Sequence, residues 1–210
     1  MSGARHLLLR CARDRSGATA AEFALVLPLL LILLFGIIDG GRFLWETNEA
    51  EKATQMGVRM AVVTNVLAPG LISEDYTVAS GGRPAVKAGD TIPATALGLI
   101  ECTSSLGCIC KTPPCPSPGT MDPTFGKIVA RMTAIDPNIT AANVKVSYSG
   151  SGLGTAGDGG ALSMDISPFV TVSVQNLKFV PITSLLLATL DMPSFSSTLT
   201  AEDASGQYSE

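Results

Sequence analysis

A chain of 210 residues, 46% apolar and only 15% charged, has room for one modest domain plus an anchor and is too apolar to be disordered. Its formal charge is −4, and the first 17 residues carry four arginines against Asp14, net +3, so the remainder stands at −7 and is no nucleic-acid binder by charge. The only histidine, His6, lies in that basic head. Histidine-dependent triads and histidine metal sites are therefore excluded from the rest of the chain, and neither an enzyme nor a cofactor is expected.

The head, with Arg5, Arg10, Arg13 and Arg15, meets Gly17-Ala18-Thr19-Ala20-Ala21-Glu22-Phe23 and then an apolar run broken only by Pro28 and Gly36, the whole span running from Ala18 to Ile38. These 21 residues suffice to cross the roughly 30 Å of a bilayer's hydrocarbon, which takes about 17–25. Pro28 is tolerable in a membrane helix, with a kink expected. Acids dominate after the run, at Asp39, Glu46, Glu49 and Glu51, so the positive-inside rule places the amino terminus in the cytoplasm and residues 40 onward outside it. A cleaved secretory signal fits poorly, because Asp39-Gly40-Gly41-Arg42-Phe43 offers no small-residue cleavage pattern. A lipoprotein reading fails at Cys11, which has no long apolar run before it.

Glu22 stands inside this run and calls for a reason, since an acid at the centre of a membrane helix costs roughly 2.5–3.5 kcal/mol. If the chain is cut after Gly17, Ala18 becomes the amino terminus and Glu22 the fifth residue, facing the positive end of the helix dipole. In a bundle it can also meet a neighbour's terminal ammonium. At about 4 Å and an effective dielectric near 20, that contact is worth roughly 4 kcal/mol before desolvation. The residue thus reads as an assembly contact, with Phe23 beside it. The plainer alternative is an uncleaved single-pass anchor with an incidental glutamate.

From Asp39 to Val66 there is no proline, and Leu44, Trp45, Ala53, Met56, Gly57, Met60 and Val63 recur at helical spacing, so the anchor helix is expected to continue as a stalk ending near Ala68-Pro69-Gly70. Residues 71–122 read as loop-rich with one or two short strands. They hold Cys102, Cys108, Cys110 and Cys115, an even number in an oxidising compartment, for which two disulfides lead and three pairings are open. A bond between Cys108 and Cys110 is disfavoured by so tight a loop, which favours Cys102 and Cys115 each pairing with one of them. The alternative is a four-thiolate zinc site, although the spacings lack the two-residue knuckle of zinc ribbons.

Asp122-Pro123-Thr124 reads as the start of a second helix carrying Phe125, Ile128, Val129, Met132 and Ile135 on one face. Three strands are expected, at Asn143–Tyr148, Phe169–Gln175 and Phe195–Thr200. Gly150 to Gly160 reads as a mobile glycine-serine hairpin tip. Its Gly152-Leu153-Gly154-Thr155-Ala156-Gly157 matches a dinucleotide fingerprint only on paper, with no helix to follow. Leu177 to Leu190 is expected to be a loop ending in a short helix over the sheet edge.

A small residue, four residues, then Glu-Phe opening a membrane helix is similar to the start of type IV pilin precursors. More specifically, Ser16-Gly17-Ala18-Thr19-Ala20-Ala21-Glu22-Phe23-Ala24-Leu25-Val26-Leu27-Pro28, then Phe35-Gly36-Ile37-Ile38-Asp39 and Gly41-Arg42, resemble the opening of TadE-like minor pseudopilins of tight-adherence (Flp-type) pilus systems. Gln55-Met56-Gly57-Val58-Arg59-Met60-Ala61 resembles that family's helix end. The resemblance implies cleavage between Gly17 and Ala18 by a prepilin peptidase. It also implies association with other pilins and pseudopilins and with the inner-membrane assembly platform, as a minor or priming subunit.

The expected fold class is α+β: a long membrane-spanning helix continued as a stalk, then an exported small antiparallel sheet with one packed helix and a Cys-rich loop region. The expected division is a basic leader at 1–17, a transmembrane helix at 18–38, a helical stalk at 39–67 and an exported domain at 68–210. The alternative function is a membrane-anchored exported binding module, adhesin-like and outside any pilus, engaging its target through the loop region Leu71 to Pro118.

Overall fold

The computed structural model describes residues 18–157, 164–185 and 188–201. The leader with Gly17 and part of the glycine-serine loop lie outside these residues. Helix α1 runs Ala18–Val63, 46 residues with Pro28 inside it, so the apolar run and the stalk form one element as their shared helical period requires. It ends where Thr64 turns its hydroxyl back onto the Met60 carbonyl at 2.8 Å, a local bond that competes with the helix ladder, and a 3-10 turn follows at Pro69–Leu71.

The chain divides into two compact units, one of Met1–Leu44 with Val180–Thr189, the other of Trp45–Phe179 with Leu190–Glu210. The first contains the apolar stretch of α1 and a 3-10 turn at Ile182–Leu185.

The second unit is built on a five-stranded antiparallel sheet. Its strands are β1 (Leu99–Thr103), β2 (Gly107–Thr112), β3 (Val144–Ser149), β4 (Phe169–Val174) and, after the two-residue pair β5 (Lys178–Phe179) and β6 (Leu190–Asp191), β7 (Phe195–Thr200). The spatial order is β2-β1-β3-β4-β7. Alternation fixes the register: Val144, Val146 and Tyr148 of β3 are buried, and they pair with Val174, Val172 and Val170 of β4, also buried. A slip by one residue would send all six to the opposite face. Helix α2 (Thr124–Thr133) buries Phe125, Ile128, Val129 and Met132, three and four residues apart. Asp122 caps it by accepting the Thr124 N–H at 2.8 Å, with Pro123 at the entry as the sequence predicts.

The stalk part of α1 enters this core through small residues. Ala50, Ala53, Thr54, Gly57, Val58 and Ala61 are buried, and a side-chain carbon added at Gly57 would lie 2.6 Å from the Met132 sulfur. Gly57 is thus a point of close approach between α1 and α2. Leu67, just past the helix, donates its N–H to the Tyr148 hydroxyl at 3.0 Å.

One expectation needs correction. Residues 150–157 are not a free hairpin tip: Ile92 N–H donates to the Gly154 carbonyl at 3.1 Å, Thr155 N–H to that of Asp165 at 3.1 Å, and Ala156 N–H to that of Asp90 at 3.0 Å. The glycines serve close approach, since a side chain at Gly150 would meet the Ala94 carbonyl oxygen at 1.9 Å. The segment Leu177 to Leu190 carries a short 3-10 helix at Ile182–Leu185, residues 186 and 187 lie outside the described ones, and β5 pairs with β6, a pairing that was not expected.

Candidate functional site

Helix α1 is described from Ala18 onward, and Glu22 lies four residues along it. Glu22 is exposed and Phe23 is 65% exposed. The apolar stretch that follows has a mean hydropathy of 2.7 in its most apolar window, none of which is buried by the rest of the chain. A helix apolar on every side and covered on none is suited to lipid or to neighbouring helices. Ala18, Glu22 and Phe23 lie toward the described start of this membrane-capable helix, and Gly17 lies outside the described residues.

The other end holds a site that the sequence did not reveal. Asp39, 6% exposed, accepts hydrogen bonds from the Ile182 N–H at 2.7 Å, the Thr183 N–H at 3.0 Å and the Thr183 hydroxyl at 2.8 Å. Arg42 lies 3.5 Å from the same carboxylate and 3.5 Å from the Val180 carbonyl oxygen. Burial by itself would raise the Asp39 pKa, but the two N–H groups, the hydroxyl and the guanidinium together hold it below its ordinary value. An acid ending an apolar run signals orientation in sequence, and nothing marks Thr183, 144 residues away, as its partner.

The four cysteines pair as Cys102–Cys108 and Cys110–Cys115. Cys102 and Cys108 face each other directly across β1 and β2, and Cys110 leaves β2 to meet the chain returning through Pro113 and Pro114. These bonds leave none of the four as a thiolate for zinc. Among the described residues no cluster of three or more metal-binding side chains is present.

In the loop region Arg83, 4% exposed, reaches Glu74 at 2.7 Å, donates to the carbonyls of Tyr76 and Asp75 at 3.0 and 3.1 Å, and lies 4.2 Å from the centre of the Tyr76 ring. One guanidinium thus orders a segment with little regular structure. Burial pushes the Tyr76 hydroxyl well above its usual range, opposed by Arg83. Among the described residues, one open groove of about 390 Å³ is lined by Glu51, Thr54, Gln55 and Ser194 to Ser197, and another of about 600 Å³ by Lys178, Asp191 and neighbouring amide and hydroxyl groups.

No curated protein and no solved structure matches the chain. Residues 17–59 match the TadE-like protein family, a stretch that opens on Gly17 and takes in Glu22, the apolar run, Asp39 and Gly57.

Proposed function

The chain is TadE-like over residues 17–59, which ties it to tight-adherence pilus systems, and on that premise we propose that it is a minor pilin or pseudopilin subunit. A prepilin peptidase cuts it between Gly17 and Ala18, and it then takes part in assembling or priming an adhesive pilus at the inner membrane. The leader stays cytoplasmic and the sheet-bearing unit lies outside. The observation that carries this reading is the uncovered apolar run Ala18 to Ile38, whose only charged residue, Glu22, is the fifth.

Cleavage changes the electrostatics at that end. It removes the basic head and creates an ammonium at Ala18, so a neighbouring subunit can set its own terminus against Glu22. At roughly 4 Å and an effective dielectric near 20 the attraction is about 4 kcal/mol, which exceeds the roughly 2.5–3.5 kcal/mol cost of the buried acid only when subunits stand side by side. The small residues Ala18, Ala20, Ala21 and Ala24 flank Glu22 in sequence and permit close helix approach. Nothing in this scheme requires catalysis by the chain itself; the peptidase, the partner pilins and the assembly platform supply the rest.

Replacing Glu22 with Ala in the producing cell tests the proposal. The variant should be inserted in the membrane at normal level and lose pilus output; unchanged pilus output would refute the assembly role. A second reading, a tethered binding module, draws on the hairpin end, where Leu106 is 67% exposed and Ile109 37% exposed on a disulfide-stapled β1–β2. That reading predicts that a Gly17→Leu variant, blocked in processing, keeps full adhesion.

A further inference from the structure

We infer that Val180 to Thr183 is a second membrane contact, an interfacial loop held at the outer edge of the bilayer by Asp39 and facing lipid. The inference rests on the membrane reading of α1. Asp39 is one residue past Ile38, about 1.5 Å along the helix axis, whereas the headgroup region extends several Å beyond the hydrocarbon on each side. Whatever Asp39 holds is therefore set at that depth. It holds Ile182 and Thr183 by three hydrogen bonds of 2.7 to 3.0 Å, within one compact unit with the apolar helix.

The loop is chemically prepared for this place. Irregular backbone is excluded from lipid chiefly because its N–H and C=O groups go unsatisfied. Here Pro181 has no N–H, and the next two N–H groups and the Thr183 hydroxyl are spent on the Asp39 carboxylate. Three consecutive residues thus present no free donor, while Val180 and Ile182 stand 54% and 53% exposed. Arg42 lies beside the Val180 carbonyl, a cation suited to the headgroup level. The partner of this surface is the lipid interface itself.

The test uses the full chain with Cys11→Ser, reconstituted in phosphatidylcholine and phosphatidylglycerol vesicles. An environment-sensitive fluorophore is placed singly at Ile182→Cys, at Leu25→Cys within the apolar run, or at Val78→Cys, which is 57% exposed in the other unit. Lipids spin-labelled near the carbonyl or near the methyl end quench by depth. Relative to Val78, the Ile182 label should emit at shorter wavelength and be quenched more by the shallow spin label than by the deep one, at low protein density. An Ile182 label as water-exposed as Val78, with Leu25 quenched by the deep label, overturns the inference and leaves the span standing. A water-exposed Leu25 label instead overturns the membrane reading beneath it. Shielding of Ile182 that lipid labels do not quench, and that grows with protein density, assigns the surface to a second copy and also overturns the inference.

Discussion

The contact between Gly57 and Met132 gives a prediction whose sign depends on the background. A side-chain carbon at Gly57 would lie 2.6 Å from the Met132 sulfur, 2.9 Å from Cγ and 3.3 Å from Cε, all inside ordinary contact distance, and Met132 is fully buried. Replacing a helical glycine by alanine gains roughly 0.5–1 kcal/mol of backbone entropy. Forcing an extra carbon into a packed core costs about 1–3 kcal/mol, moderated here because methionine is flexible. Gly57→Ala should therefore lose about 1 kcal/mol. Met132→Ala alone should cost about 2–5 kcal/mol, and in that background Gly57→Ala should gain about 0.5–1 kcal/mol, because the three obstructing atoms are gone. The cycle is read by urea unfolding of the full chain in detergent, followed by far-UV circular dichroism. Gly57→Ala stabilising in both backgrounds, with effects additive within about 0.5 kcal/mol, would refute the tight approach of the two helices.

The Asp39 cap makes stability depend on pH in a defined direction. Its pKa is lower in the folded chain than its ordinary 3.8, so the stabilisation is fully present above that value and declines as pH falls through the lower folded value. Hydrogen exchange corrected for intrinsic rates should find the Ile182 and Thr183 amides protected at pH 6 and released on acidification, and already released at pH 6 in Asp39→Asn; equal exchange in both chains at pH 6 would contradict the cap. The disulfides close loops with sequence separations of 6 and 5, for which loop-closure entropy assigns about 2 kcal/mol each. Peptide mapping without reductant should recover Cys102 joined to Cys108 and Cys110 to Cys115, and Cys102→Ser with Cys108→Ser should lower unfolding free energy by about that amount. A Cys102–Cys115 link would contradict the β1–β2 register.

What could be read in advance followed from period and punctuation. The apolar run and stalk share one helical period and became α1. Valine alternation located β3 and β4, and Asp122-Pro123 marked the start of α2. What escaped depends on contacts between distant residues. The cysteine pairing needed the register that sets Cys102 opposite Cys108, which spacing alone left among three possibilities. The glycine segment looked mobile because its composition says nothing of the carbonyls of Asp90 and Asp165 that fix it. The pair β5–β6, two residues per strand, is too short to carry an alternation. Asp39 was legible as a charge after a span, and its hold on Thr183 was not. Glu22 is the converse: its oddity is plain in sequence, while one chain by itself leaves it exposed, and the partner proposed for it is another subunit.

The most direct test of the account is the intact mass of the protein extracted from membranes of piliated cells. The account predicts a chain beginning at Ala18, with four cysteines oxidised as two disulfides. Recovery of the chain with Met1 or Ser2 still in place, while pili assemble as usual, would contradict it.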